Sequence, residues 1–134
     1  MAGHIFEGGC ACGAVRYRAE GRPEYETLCH CSDCRRASGA PVVGWVTFRT
    51  DHVRWSRMPK LRRSSERATR GFCAECGTAL SYQLVAKPEL VDLTLGSLDE
   101  PTALPPKDHT FTRSQLRWLV FADGLPRHPA ERDA

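Results

Sequence analysis

Seven cysteines in three tight clusters constrain this 134-residue chain more than any other feature. The clusters are Cys10-x-Cys12, Cys29-x-Cys31-x-x-Cys34 and Cys73-x-x-Cys76. A structural zinc site takes four protein ligands, whereas a catalytic zinc keeps three and leaves one coordination position open. Seven thiols therefore divide into one site of four and one site of three, and we predict two zinc ions per chain.

The alternative use of the cysteines is in disulfides. An odd number of cysteines would leave one thiol unpaired, and a Cys-x-Cys pair is poorly placed to bridge within a strand. The N-terminus lacks the basic and apolar regions of a signal peptide, and no apolar run approaches the roughly 20 residues needed to cross a bilayer. We therefore expect a cytoplasmic, reducing location, where clustered cysteines are more often metal ligands than disulfides.

The rest of the sequence predicts a mainly β chain with frequent turns, since it contains nine prolines and eleven glycines. Short runs with alternating or β-branched character lie between turn residues, which is typical of strands. The predicted strands are His4–Glu7, Ala14–Ala19, Val42–Phe48, Val53–Ser56, Thr78–Val85 and Leu90–Leu95.

Helix signals are scarce. One short helix is predicted over Ser32–Ala37, with Ser32 as its N-cap and Gly39 just after its end, and one or two turns over Ser114–Leu119. We expect a single domain over residues 1–134, with a core from about 4 to 121. The tail from 122 to 134 is expected to be loosely held. The tryptophans are expected in the core or an interface, with one as a candidate pocket wall: Trp45, Trp55 and Trp118.

The outer cysteine clusters each supply two ligands. Alternate residues of a strand share a face, so Cys10 and Cys12 can direct two thiolates at one metal ion. Cys73 and Cys76 form a zinc knuckle, in which Gly77 is free to adopt positive φ. Two such pairs would make a four-thiolate site that ties both ends of the domain together. Spacing alone leaves open a pairing of Cys10 and Cys12 with part of the middle cluster.

The middle cluster differs because one local segment supplies three ligands. Cys34 would fall in the first helical turn, where the helix dipole and nearby Arg35 and Arg36 favour thiolate over thiol. A zinc on three thiolates can exchange its fourth ligand for a substrate thiol or oxygen. The other possibility is a structural site closed by His109, Asp33 or His30, although His30 would point away from the face that the first two thiols share.

The charge pattern says less about binding partners than the cysteines say about metal. The formal net charge of +3 does not demand a polyanionic partner. Between Arg54 and Arg70 there are seven basic residues and one acidic, Glu66. Such a run is usually a solvated face, although it can also gather an anionic substrate. Nucleic-acid binding is the weaker interpretation, because only Trp55 is interleaved with these residues.

Several segments resemble the motifs of one family, the glutathione-dependent formaldehyde-activating enzyme family, which also contains centromere protein V. The resemblance covers about residues 4 to 121, and the motifs are specific in combination. The matching segments are Gly9-Cys10-Ala11-Cys12-Gly13-Ala14-Val15-Arg16-Tyr17, then Cys29–Arg36 with Ser38-Gly39-Ala40, then Phe72–Thr78, and a closing segment of Gly96–Asp99, Pro101, His109 and Trp118.

The resemblance implies that the cysteines hold two zinc ions with different roles. The ligands of the family's structural zinc match Cys10, Cys12, Cys73 and Cys76, and those of its catalytic zinc match Cys29, Cys31 and Cys34. The implied fold is mainly β, with curled antiparallel small sheets stabilised by zinc. The implied activity joins glutathione to formaldehyde as S-hydroxymethylglutathione, which is a carbon–sulfur lyase reaction in reverse.

Two hypotheses follow. The first is a zinc-dependent carbon–sulfur lyase that acts on a thiol adduct of this or a related type, with a small-molecule thiol such as glutathione as its partner. His109 is a candidate proton donor there, although a single histidine beside a proline-rich loop is more often structural. The alternative is a non-catalytic zinc module whose basic surface binds a protein or nucleic acid. The sequence says nothing about oligomeric state.

Overall fold

The computed structural model describes residues 4–132 and confirms a mainly β chain. One α-helix, α1, spans Ser32–Ser38, and the other helical pieces within this range are short 3-10 turns. The strands are β1 Ile5–Gly9, β2 Arg16–Glu20, β3 Tyr25–Cys29, β4 Val43–Arg49, β5 Val53–Trp55, β6 Lys60–Arg63, β7 Ala68–Phe72, β8 Ala79–Leu84, β9 Leu90–Thr94 and β10 His109–Thr110.

The strands form two sheets. The smaller sheet has the order β1-β2-β5 and is antiparallel throughout. The larger sheet has the order β10-β3-β4-β9-β8-β7-β6, and its pairs are antiparallel except for the parallel pair of β10 with β3. The antiparallel architecture was predicted, and the parallel pair at one edge was not.

The apolar core lies between the small sheet and one face of the large sheet. Successive strand residues face opposite sides, so Val46 and Phe48 of β4 point into this core together with Leu93 of β9. The ring of Phe48 lies 5.9 Å from that of Phe6 on β1, which joins the two sheets. Because the core occupies one face of the large sheet, the other face is free to carry a cavity.

All six predicted strands are present, with ends that differ by one or two residues, but β3, β6, β7 and β10 were not predicted. The β3 pattern is interrupted by Glu26, which is nonetheless buried and lies 3.5 Å from the ammonium of Lys107. All four residues of β6 are exposed and three are basic. Charged edge strands of this kind resist pairing with other chains, and they lack the alternation that identifies a strand.

The helix prediction needs two corrections. The N-cap of α1 is Cys31 rather than Ser32, because the Cys31 sulfur accepts a hydrogen bond from the Cys34 N–H at 3.3 Å. Gly39 ends the helix at φ 75°, as predicted. The helical turn predicted over Ser114–Leu119 does not form: a 3-10 turn spans Thr112–Ser114 and ends there, and Trp118, expected in the core or an interface, is 72% exposed. No helix among residues 4–132 is long and apolar enough to span a membrane.

The segment 122–132 is not loosely held as expected. The His109 N–H donates to the carbonyl of Pro126 at 2.9 Å, and the His128 N–H donates to the carbonyl of His109 at 2.9 Å. The Arg132 guanidinium donates to the buried carboxylate of Asp108 at 2.6 Å. Pairing offsets the cost of burying the Asp108 carboxylate, so this ion pair helps to hold the segment to the body. Residues 133–134 of the predicted tail lie outside the described range.

Candidate metal centres and the adjoining cavity

The four outer cysteines converge on one point. The sulfurs of Cys10, Cys12, Cys73 and Cys76 all lie within 4.8 Å of one another. Cys12 is 3.6 Å from Cys10 and 3.8 Å from Cys73, sulfur to sulfur. Four sulfurs about 2.3 Å from a tetrahedral zinc would be about 3.8 Å apart, so these spacings fit that metal. They are far too long for a disulfide of about 2.05 Å.

The backbone around this cluster supplies hydrogen bonds that suit thiolates. The Val15 N–H donates to the sulfur of Cys10 at 3.2 Å and lowers the pKa of that thiol. The Thr78 hydroxyl lies 3.1 Å from the sulfur of Cys76 and lowers its pKa to about 5. Gly77 takes φ 81°, the left-handed conformation that the knuckle between β7 and β8 requires. These hydrogen bonds favour the thiolate forms of Cys10 and Cys76.

The middle cysteines form a second, separate group. Cys29 ends β3, Cys31 caps α1 and Cys34 lies in its first turn, and their sulfurs lie within 4.8 Å of one another. The Arg70 guanidinium approaches the Cys34 sulfur at 3.6 Å. Hydrogen bonding from the Cys29 thiol, and then from Cys34, lowers the pKa of Cys31 to about 3. These three thiols can hold a metal ion, and the pairing of Cys10 and Cys12 with this cluster does not occur.

None of the three candidate fourth ligands joins this group among the described residues. His30 points away from the thiols, as its place between Cys29 and Cys31 in an extended segment predicted. Its Nε2 lies 2.9 Å from Nδ1 of His109, whose Nε2 lies 2.8 Å from a carboxylate oxygen of Asp123. Both imidazoles are fully buried, and His109 does not line the cavity described below. Asp33 borders that cavity but is not within ligand distance of the thiols.

The three-cysteine group opens into a cavity of about 520 Å³. Its floor is the face of the large sheet that points away from the core. Trp45 and Tyr82, whose rings lie 5.9 Å apart, form an aromatic wall with Phe111. Small-molecule sites usually enclose about 300 to 1,000 Å³, so this cavity is of suitable size. A shallower groove of about 360 Å³ over residues 112–127 contains none of the seven cysteines.

The cavity also carries charges that the sequence did not identify. Arg67 and Arg70, from the run interpreted as a solvated face, both line it. Asp92 of β9 lies on the floor, where the Thr47 hydroxyl donates to its carboxylate at 2.5 Å. Burial raises the pKa of Asp92 to about 6. The only sequence signal for Asp92 was a polar position in a half-buried strand, which is too common to mark a site.

Comparison with known proteins agrees with this arrangement. Residues 5–114 match the family model described as glutathione-dependent formaldehyde-activating enzyme. The chain belongs to this family. The family predicted from the cysteine motifs is therefore confirmed, and it is a family of enzymes, in agreement with the predicted catalytic activity.

Individual relatives of the family are distant. A Halomonas elongata protein named for the same activity is 27% identical over 128 residues, covering 86% of this chain and 80% of its own length. An uncharacterized lyase of Schizosaccharomyces pombe is 30% identical over 77 residues, covering 58% of this chain and 56% of its own. A crystal structure of a Rhodobacter sphaeroides protein, 24% identical, aligns with a TM-score of 0.55 over 91% of this chain and 98% of that one, which supports the fold alone.

Proposed function

We propose that this protein is a zinc-dependent carbon–sulfur lyase that acts on the adduct of a thiol and a small aldehyde. S-hydroxymethylglutathione, the adduct of glutathione and formaldehyde, is the substrate that the family name suggests. The observation that carries the proposal is the contrast between the two cysteine groups. The group of four does not border the cavity, whereas all three sulfurs of Cys29, Cys31 and Cys34 border a space large enough for a small molecule.

Both groups fit zinc by their chemistry and spacing. Soft thiolates are preferred zinc ligands, and the Cys29 and Cys34 sulfurs are 3.7 Å apart, close to the edge of a zinc–thiolate tetrahedron. A zinc ion held by the middle group would favour the thiolate form of a substrate thiol and polarise a carbonyl oxygen. Cys10, Cys12, Cys73 and Cys76 would hold a structural ion.

The reaction needs charge stabilisation and an enclosed site. In the cleavage direction the adduct hydroxyl loses its proton to water, the carbon–oxygen double bond forms, and the carbon–sulfur bond breaks with its electron pair on sulfur, so that the products are an aldehyde and a thiolate that can take a proton back from water. Arg70 stands beside Cys34 and can offset negative charge that accumulates near the thiolates. The rings of Trp45, Tyr82 and Phe111 reduce the contact of the reacting groups with water, which strengthens such electrostatic effects.

The contacts of His109 favour a positioning role over proton donation. Its two ring nitrogens contact His30 and Asp123, and its ring is fully buried. It therefore connects β10, the central cysteine motif and the C-terminal segment. We propose that His109 positions these elements and transfers no proton to substrate.

The alternative of a non-catalytic zinc module with a basic binding surface receives less support. In the basic run, Arg67 and Arg70 line the cavity, and Arg70 reaches the Cys34 sulfur at 3.6 Å. Those two side chains suit an anionic small molecule better than an extended polyanion. We further propose a cytoplasmic location, because the seven free thiols would stay reduced in that compartment.

Zinc content and folding of two matched variants test the proposal. Purified protein should contain two zinc ions per chain. Cys34→Ser should remain folded with one zinc, whereas Cys73→Ser should lose much of its cooperative unfolding transition, because its metal joins distant parts of the chain. One zinc in the wild type, or equal loss of structure in both variants, would argue against this assignment.

The activity itself is tested by NMR with a panel of thiols and aldehydes. Carbon-13 formaldehyde with glutathione forms the adduct spontaneously, so exchange between free and adduct signals is compared with and without enzyme. We expect wild type to accelerate the exchange and Cys34→Ser not to do so. Equal acceleration by both proteins would refute a role for the middle cysteines in the chemistry.

A further inference from the structure

One row of residues crosses five strands on the floor of the cavity. The strand registers align Arg70 with Tyr82, Tyr82 with Asp92, Asp92 with Thr47, and Thr47 with Tyr25. All five side chains line the cavity. Neighbouring strands lie about 4.8 Å apart, so the Cα atoms of Arg70 and Asp92 are about 10 Å apart with Tyr82 between them. A cation and an anion therefore lie on the same floor, on either side of an aromatic ring.

The carboxylate of Asp92 has an incomplete set of partners. Within residues 4–132 it accepts one hydrogen bond, from Thr47, and no Lys, Arg or His nitrogen lies within 4.0 Å of it. The nearby Arg132 is paired with Asp108 instead. A desolvated carboxylate without a cation is unfavourable, as the raised pKa of Asp92 reflects. A bound positive group would relieve this cost.

Three of the four basic side chains that line the cavity, Arg67, Arg70 and Lys87, have no carboxylate partner among residues 4–132, whereas Arg132 is paired with Asp108. Arg70 stacks over the Tyr82 ring at 4.8 Å and reaches Cys34, but it forms no salt bridge. Arg67 and Lys87 line the end of the cavity where β7 and β9 meet their turns, and neither has an acidic oxygen within 4.0 Å. The two signs of charge are thus present in one space, and neither neutralises the other.

The geometry points to a subsite for an amino-acid group: Asp92 binds a primary ammonium of the thiol substrate, while Arg67 and Lys87 attract its carboxylate. This inference rests on the proposed function only in taking the ligand to be a thiol. The cavity would then select thiols that carry both charges over neutral thiols of similar size. Recognition of this kind discriminates strongly, because a ligand that lacks the ammonium covers the Asp92 carboxylate and leaves it unpaired.

Two unreactive ligands separate this recognition from the chemistry. S-methylglutathione keeps the ammonium and both carboxylates but has no free thiol, and its N-acetyl derivative lacks the ammonium. Isothermal titration calorimetry of the zinc-loaded protein should give the wild type at least about tenfold tighter binding of S-methylglutathione than of the derivative. Asp92→Asn should bind both ligands with similar, weaker affinity. Glu131→Gln, which alters an exposed carboxylate at the same cavity, should retain the wild-type preference.

The binding and exchange experiments together distinguish failure of the subsite from failure of the proposed lyase activity. A wild type without the preference, or an Asp92→Asn variant that keeps it, overturns the subsite. If Asp92→Asn does not fold, as judged by circular dichroism and zinc content, Asp92→Ser provides the same comparison. An Asp92-dependent preference in a protein that does not accelerate adduct exchange supports the subsite and refutes the lyase. Accelerated exchange with no Asp92-dependent preference refutes the subsite and leaves the lyase standing.

Discussion

The carboxylate of Asp92, half-buried on the floor of the cavity, should destabilise the fold at neutral pH. Burial raises its pKa from an ordinary value of 3.8 to about 6. Each pKa unit corresponds to about 1.36 kcal/mol, so the ionised group lowers the free energy of unfolding by about 3 kcal/mol. The folded-state pKa lies above the unfolded-state pKa. Stability is therefore fully retained below about pH 4 and is lost as the pH rises through about 6.

Asp92→Asn removes this charge and keeps an oxygen that can accept the Thr47 hydroxyl. We expect its free energy of unfolding to exceed that of wild type by about 3 kcal/mol at pH 7 to 8 and by about 1.5 kcal/mol at pH 5. Urea unfolding followed by tryptophan fluorescence, with zinc in constant excess, measures both proteins. Metal loss at the lower pH affects them equally and cancels in the difference. Glu131→Gln should stay within about 0.5 kcal/mol of wild type at each pH.

A variant no more stable than wild type at pH 7 would refute the reasoning, because it would mean that the carboxylate is solvated or paired. A gain that is the same at pH 5 and pH 8 would also refute it, since the cost must follow ionisation. If the measurements confirm the destabilisation by Asp92, its carboxylate is expected to serve binding or catalysis. A charge that costs the fold this much is expected where binding or catalysis needs it.

Three further predictions concern the scaffold. Phe48→Ala should lower the free energy of unfolding by about 3 to 5 kcal/mol in urea, because the side chain is fully buried between the sheets. Gly77→Ala should cost about 1 to 2 kcal/mol from its positive φ, whereas Gly96→Ala, where an added Cβ meets no atom within 4 Å, should be neutral in the same assay. Asp108→Asn should cost about 1 to 3 kcal/mol and speed amide hydrogen exchange over residues 126–132; unchanged exchange there would contradict its role in holding that segment.

The sequence predicted the features that local chemistry determines. Ligand spacing grouped the cysteines into sets of four and three, and alternation along a strand correctly turned His30 away from the thiols. Apolar runs such as the one that forms β4 were identified as strands because a short run of mostly apolar residues is typical of a buried strand. The family motifs then assigned each cluster to a group, and the sulfur positions agree with that grouping.

The cavity could not be predicted, because it depends on pairings between distant segments. Asp92 reaches the floor of the cavity only because β9 pairs with β4 and β8 in a particular register. Arg67 and Arg70 were interpreted as surface charge because nothing local shows that β7 borders the same cavity as the three thiols. The cap of α1 was misassigned for a chemical reason: a cysteine sulfur accepted the hydrogen bond that a serine hydroxyl usually accepts.

The four-cysteine group has a mechanical consequence for the chain. It joins the loop after β1, on the small sheet, to the turn between β7 and β8 on the large sheet, and Cys12 and Cys73 are 61 positions apart. A metal ion there acts as a cross-link, and closing a loop of this length removes about 4 kcal/mol of unfolded-chain entropy at 25 °C. The apolar core lies between the two sheets that this cross-link would join. If zinc occupies this group, as proposed, its supply would influence whether newly made chains keep their two sheets docked.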